Sequence, residues 1–187
     1  NTAQKEIIFP LAADGTHTQT WGNSMFLIGS THEAEMGAWG TNQGWAGNRA
    51  RPELVKKFFP NPTSGTFITR DTDMTKVVLP PNWKDDRALF FRKNRTLTIT
   101  TIGKFKEGYS IIKFSNLRAD GKPTHDIQYI DMDIPFMRTA EAYLTYAEAV
   151  LRGAPEIDGY SALAAVNALR TRAHSGKIAT QITLTDA

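Results

Sequence analysis

Asp131-Met-Asp-Ile-Pro-Phe-Met-Arg-Thr-Ala-Glu-Ala-Tyr-Leu-Thr-Tyr-Ala-Glu-Ala149 and, after a short break, Ala162-Leu-Ala-Ala-Val-Asn-Ala-Leu-Arg-Thr-Arg-Ala173 decide the architecture. From Phe136 onward, Met137, Ala140, Leu144, Ala147 and Leu151 recur at spacings of 3, 4, 3 and 4, and Tyr143 and Val150 widen the stripe. That is the period of an amphipathic helix. Gly153-Ala-Pro155 interrupts it, and Asp158-Gly-Tyr-Ser161 offers capping oxygens to a second helix on which Leu163, Val166, Leu169 and Ala173 share a face. The two segments predict an αα-hairpin. Its many alanines let the backbones approach closely, as in stacked helical repeats, where one hairpin cannot bury both of its faces alone. Further helices are expected to cover it.

Upstream the pattern is different. Glu6-Ile-Ile-Phe-Pro10 reads as a short buried strand cut by proline, followed by a turn over Ala12–Gly15. Between Thr16 and Ala50 the chain carries Gly22, Gly29, Gly37, Gly40, Gly44 and Gly47 with Trp21, Trp39 and Trp45 among them. The spacing of these glycines argues against regular helices and for an ordered, irregular recognition loop. Pro52-Glu-Leu-Val-Lys-Lys-Phe-Phe-Pro60 predicts a short helix that anchors this loop. Thr66–Thr69, Val77–Leu79, Thr96–Ile102 and Ser110–Phe114 are rich in β-formers and read as strands, and Asn116–Thr124 as a turn or loop. The change of regime divides the chain into an irregular region, residues 1–125, and a helical-repeat hairpin, residues 126–187.

The sequence has 187 residues, 41% hydrophobic and 22% charged, the composition of an ordinary globular chain. No apolar run approaches the ~20 residues of a spanning helix. Residues 1–6 show no basic start followed by an apolar stretch, so no signal peptide is read in this numbering. The absence of cysteine excludes disulfides, thiolate metal sites and cysteine nucleophiles but leaves the compartment open. The formal charge of +3 conceals 15 basic against 7 acidic residues between positions 51 and 125. These basic residues are scattered and form no stripe, which argues against nucleic acid as a partner.

Enzymatic readings find little support in the residues. Glu33 with Glu35 or Asp85 with Asp86 could supply a glycosidase pair, but that chemistry needs two carboxyls at ~5 to 9.5 Å across one sugar, and spacing alone does not provide it. His32 and Glu35 could share a helical face, while His17, His125 and His174 stand apart in sequence, and no His-Glu-x-x-His motif occurs. No Gly-x-Ser-x-Gly elbow or phosphate-cradling loop is present either. Glu141, Glu148, Arg138 and Arg170 read as ion-pairing residues of the helices.

The ordered pair of helical motifs closely resembles the late helical region of SusD/RagB-family nutrient-binding lipoproteins of Bacteroidetes outer membranes. Weaker matches keep the family's order: Glu6–Phe9, Trp45-Ala-Gly-Asn-Arg-Ala-Arg-Pro-Glu-Leu-Val55, Asp85-Asp-Arg87 and Tyr109-Ser-Ile-Ile-Lys-Phe114. The resemblance implies a mainly α fold, with a tetratricopeptide-like helical-repeat scaffold and an irregular ligand-binding region containing short strands. It also implies that the chain is a portion of a longer protein, whose lipid anchor, absent from this chain, is its membrane attachment. The implied function is non-catalytic and needs no cofactor or metal. It consists of capture of an oligosaccharide on the extracellular face of the outer membrane and delivery to a SusC-like TonB-dependent transporter. A peptide-binding relative and a glycoside hydrolase are the alternatives.

Trp39, Asn42, Trp45, Asn48 and Arg49 are the expected glycan-binding residues, with Gln43 beside them. Indole faces suit sugar C–H groups, and amides and guanidinium groups bond hydroxyls in fixed directions. Each has a structural alternative. Trp39, flanked by Gly37 and Gly40 in a polar stretch that suggests exposure, stacks on ligand or packs; Trp45 contacts ligand or serves the scaffold; Asn48 sets a turn; Arg49 pairs with a carboxylate. Trp21 is expected in the core, and Trp83 is undecided.

Overall fold

A computed structural model describes residues 5–31, 39–58, 85–92, 94–118, 120 and 122–184. The chain divides into two compact units, one formed by Asn1–Leu11, Lys84–Asp86 and Ile134–Ala187, the other by Ala12–Trp83 and Arg87–Asp133. Four helices and five short strands are described, joined by long irregular connections. Both units mix helix with short strands. None of the described helices is long and apolar enough to cross a membrane.

The first unit combines strand β1 (Ile7–Leu11), strand β5 (Ile134–Arg138) and two helices, α3 (Thr139–Leu151) and α4 (Ala162–Arg172). β1 and β5 form an antiparallel ribbon with Ile7 opposite Arg138 and Leu11 opposite Ile134, irregular around Phe9. The helix expected from Phe136 therefore starts later, at Thr139. Pro135 and pairing with β1 hold residues 134–138 extended, and Arg138, the residue before α3, has β-region angles. Glu6 ties the ribbon to both helices: its carboxylate pairs with Arg138 at 3.5 Å and with Arg172, and its carbonyl accepts from the Thr139 amide at 2.8 Å.

The hairpin forms as its period dictates. Ala147, Ala162, Ala165, Val166 and Ile182 make a buried cluster, with Tyr143, Val150, Leu151 and Leu163 packed on it. Ser161 caps α4, its Oγ accepting from the Ala164 amide at 3.1 Å. The Tyr146 hydroxyl accepts from the Ile157 amide at 3.0 Å and donates to the Tyr160 carbonyl, closing the connection. Asn167 exchanges two bonds with the Ile178 backbone, at 2.7 and 2.9 Å, and so lays the following segment across the helices. Glu148 pairs with Arg152 at 2.7 Å, one turn on, whereas Arg170 spends its guanidinium on the carbonyls of Ser175 and Gly176.

The second unit is built around a three-stranded antiparallel sheet, β2 (Arg49–Ala50), β4 (Tyr109–Ile111) and β3 (Phe90–Phe91), with β4 central. Successive side chains of a strand point to opposite faces. Phe91 accordingly enters a cluster with Leu27, Trp39, Ile112 and Ile130, and Phe90 enters another with Ala50, Val55, Ala88 and Tyr109. Helix α2 (Pro52–Phe58) delivers Val55 to the second cluster, with proline at its start, Glu53 in its first turn and Lys56 and Lys57 in its last. On the central strand the buried Ser110 hydroxyl has no hydrogen-bond partner among the described residues.

Two expectations for this unit are corrected. Residues Trp21–Ser30 form a regular helix, α1, despite Gly22 and Gly29. Ser24, Leu27 and Ile28 bury one face of it, and Gly29 serves as a close-approach site, since a Cβ there would lie 2.9 Å from the Asn48 amide. Residues 96–102 form no continuous strand. Thr96 makes a single bridge to Glu107, and the Glu107 carboxylate then accepts from the amides of Thr100 at 2.6 Å and Thr101 at 2.8 Å, folding the chain into a loop. The expected strands at Thr66–Thr69 and Val77–Leu79 lie outside the described residues.

Candidate functional site

The candidate segment, residues 39–50, takes its shape from α1. A helix leaves its last carbonyls without intrahelical partners. Trp45 N donates to Ile28 O at 2.9 Å, Asn48 N to Gly29 O at 2.7 Å and Ala46 N to Thr31 O at 2.9 Å, so the segment satisfies the end of α1. Ala46 adopts the left-handed backbone conformation, φ 56°, to make this turn. At the other end Gly40 has φ 82°, and a Cβ on it would lie 2.3 Å from the Asn116 carbonyl oxygen, so only glycine fits.

The expected ligand residues separate. Trp39 is only 1% exposed and belongs to the core, with its Nε1 donating to Phe114 O at 2.7 Å. The exposure expected from its polar neighbours is corrected: Leu27 of α1 and, from far along the chain, Phe91, Ile112 and Ile130 supply the apolar walls. Trp45 is 47% exposed, and its Nε1 donates to Gln43 Oε1 at 3.1 Å, which fixes the ring while leaving about half of the side chain to solvent. Asn42 is exposed and is anchored by its amide N–H to Ile127 O at 3.1 Å. Asn48 is also exposed, with its side-chain amide beside Gly29.

Arg49 meets carbonyl oxygens where a carboxylate was expected. Nη1 donates to Lys104 O at 2.7 Å and Glu107 O at 2.9 Å, Nη2 donates to Ile102 O at 2.7 Å, and the guanidinium carbon stands 5.4 Å from the Phe105 ring centroid. Its fork clamps the loop after residue 95 to β2. Trp21, expected in the core, is exposed and lies edge-on to Tyr129 at 5.5 Å. Trp83, Glu33, Glu35 and His32 lie outside the described residues.

Asn116, expected only in a turn or loop, organises the segment from behind. It is buried, donates from its backbone to Trp39 O at 3.0 Å and from Nδ2 to Gly40 O at 2.8 Å and Asp126 O at 2.9 Å, and accepts from the Asp131 amide at 3.0 Å.

Histidines that stand apart in sequence are each beside a carboxylate in the fold: His17 with Asp14 at 2.7 Å, His125 with Asp131 at 3.0 Å, and His174 with Asp86 at 2.6 Å. Potential ligand atoms of Asp14, His125 and Asp131 lie within 4.8 Å of one another. Their oxygens are already engaged. Asp131 accepts from the amides of Gly15 and His125, both at 3.0 Å, and Asp14 from those of Thr16 at 2.7 Å and His17 at 3.3 Å. The His17 side chain and these amides hold the Asp14 carboxyl down to about 2. Burial pushes Asp131 up, but the amides of His125 and Gly15 outweigh it and its pKa is lowered. The arrangement staples residues 14–18 to residues 125–131.

The SusD family profile matches residues 5–186. The chain belongs to the SusD family. It is 36% identical over 201 residues to the starch-binding protein SusD of Bacteroides thetaiotaomicron, an alignment covering 92% of this chain and 35% of that protein. The chain thus spans about a third of the length of this SusD relative. The family match takes in both units, so the stapled irregular segment and the alanine-rich hairpin are parts of one family domain.

Proposed function

We propose that this chain serves a non-catalytic carbohydrate-binding protein of the SusD family, which captures oligosaccharides at the outer face of the outer membrane and passes them to a SusC-like TonB-dependent transporter. The observation that carries the reading is the 36% identity to a starch-binding protein. The exposed indole of Trp45, oriented by Gln43 on a braced segment, adds the chemistry a sugar requires. An aromatic face held in place loses little freedom when a sugar stacks on it. Asn42, Asn48 and Gln43 supply amides around it, and Arg49 positions the neighbouring loop. Trp39 stays in the core and is not part of the surface.

In this reading ligand contact belongs to the irregular region, residues 1–125, and the hairpin region, residues 126–187, is one element of a larger tetratricopeptide-like, mainly α scaffold. Exposed Leu144 and the grooves beside α3 support it. One of these, about 530 Å³, mixes apolar Phe136, Leu144 and Leu184 with charged Arg138, Glu148 and Arg152. The membrane attachment in this reading is a lipid anchor.

The test is calorimetric titration of the protein with malto-oligosaccharides and a panel of other glycans and peptides, together with Trp45→Ala. Saturable glycan binding, weakened by about 1–3 kcal/mol in Trp45→Ala, is expected. Peptide binding without glycan binding, or new reducing ends on prolonged incubation, would replace the reading with a peptide-capturing or a hydrolytic one.

A further inference from the structure

Of the amide side chains that flank Trp45 in sequence, Asn42, Gln43 and Asn48, the orientation of Gln43 is dictated by its neighbour. An indole N–H can only donate, so the end of Gln43 that meets Trp45 Nε1 at 3.1 Å is the amide oxygen. Nε2 is the end that remains. It carries two donor hydrogens and has no hydrogen-bond partner among the described residues.

The backbone of Gln43 is held as well as its side chain. The hydroxyl of buried Thr41 donates to Gln43 O at 2.8 Å, the Asn42 amide to Ile127 O at 3.1 Å, and the Trp45 amide to Ile28 O at 2.9 Å. Gln43 and Trp45 are therefore one unit, in which the amide fixes the ring and the ring fixes the amide. An indole N–H lies in the plane of its ring, so the amide sits at the rim of the indole and not over its face. A sugar laid on that face carries its hydroxyl and ring oxygens around its own edge, within the reach of a rim donor. A donor already held in place loses little freedom on binding. One covered by ligand without an acceptor would lose its water for nothing.

Charge contributes little at this edge. Residues 39–50 contain no Asp or Glu and one cation, Arg49. Its guanidinium donates to the carbonyls of Gly47, Ile102, Lys104 and Glu107. Polar recognition beside Trp45 thus falls to uncharged amides.

We infer that Gln43 is a specificity-determining ligand residue, whose Nε2 donates to an oxygen of the sugar stacked on Trp45 while its Oε1 holds the indole. The inference rests on the carbohydrate reading above and adds which amide, in which orientation, reads the sugar. Gln43→Glu separates the two tasks, because at neutral pH a carboxylate still accepts from the indole N–H but has nothing to donate. Gln43→Met removes both. Wild type, these two variants and Trp45→Ala are titrated calorimetrically with maltohexaose at matched folded fraction, and exchange of the Trp45 indole hydrogen with solvent is followed by NMR. Gln43→Glu should lose about tenfold in affinity with indole exchange as slow as in wild type. Gln43→Met should lose at least as much, with faster exchange. Wild-type affinity in Gln43→Glu beside a weakened Trp45→Ala would overturn the role of the amide and leave the carbohydrate reading standing. A loss in Gln43→Glu accompanied by fast indole exchange would reduce Gln43 to a positioning residue and overturn the donation. No maltohexaose binding by wild type, or full binding by Trp45→Ala, would bring down the carbohydrate surface and this inference with it.

Discussion

Residues 39–50 and the α3–α4 hairpin keep their shapes by opposite means. The hairpin is held by close approach of small side chains, with Ala147 and Ala165 fully buried between helices whose hydrogen bonds are internal. The 39–50 segment has almost no repeating structure. It is fixed by groups remote in sequence: Asn116 behind Gly40, Phe114 O on the Trp39 indole, the end of α1 under Trp45 to Asn48, and Arg49 across the loop ahead of β4. Periodic packing makes a scaffold that tolerates little change in volume. Individual polar staples let a segment place one indole in the core and the next, six residues on, in solvent.

That contrast sets the order of expected effects. Trp39→Ala empties the centre of a buried cluster and should destabilise the second unit by about 3–5 kcal/mol, read by chemical denaturation. A loss below ~1 kcal/mol would mean that the staples alone hold the segment. Ala165→Leu should cost about 1–3 kcal/mol through overpacking between α3 and α4, while the same enlargement at exposed Ala142 should be close to neutral.

The polar staples predict a pH response. The Thr101 amide and the Thr100 hydroxyl hold the Glu107 carboxyl at about 2, below its ordinary 4.5. A lowered carboxylate stabilises the fold fully above its unfolded pKa and loses that contribution as pH falls through the folded value. Stability should therefore decline between pH 4.5 and about 2. The difference between wild type and Glu107→Gln isolates this residue from Asp14 and Asp120, which are also held at about 2. A difference independent of pH would remove Glu107 as the clasp of its loop. The smallest effect has the opposite sign. Ser110→Ala removes a buried hydroxyl without a described partner and should be neutral or stabilise by up to about 1 kcal/mol in thermal melts.

The same contrast explains what could be read from the residues. The hairpin was legible because its contacts repeat at 3 and 4 residues along its own sequence, and the Ser161 cap is equally local. The proline-started helix α2 was legible on similar grounds, and so was the existence of strand β1, but not its partner, its continuation through Pro10 to Leu11, or its exposure, since Ile8, Phe9 and Leu11 face solvent where a buried strand was expected. α1 was hidden by reading Gly22 and Gly29 as breakers, when Gly29 is there to let Asn48 approach. The environment of Trp39 depends on Phe114, 75 positions away, and no local pattern encodes it. The Trp21–Tyr129 contact and the bracing role of Asn116 were missed for the same reason, and so was the convergence of Asp14 with Asp131. Arg49 was singled out for a glycan or a carboxylate, whereas the partners the fold gives it are carbonyls that become neighbours only when the 95–108 loop folds back.

The central claim is that Trp45, and not Trp39, presents the carbohydrate-stacking face. Calorimetric titration of malto-oligosaccharide into wild type and Trp45→Ala, at matched folded fraction, tests it most directly. A loss of about 1–3 kcal/mol in binding with the melting temperature nearly unchanged is predicted. Wild-type affinity in Trp45→Ala would contradict it.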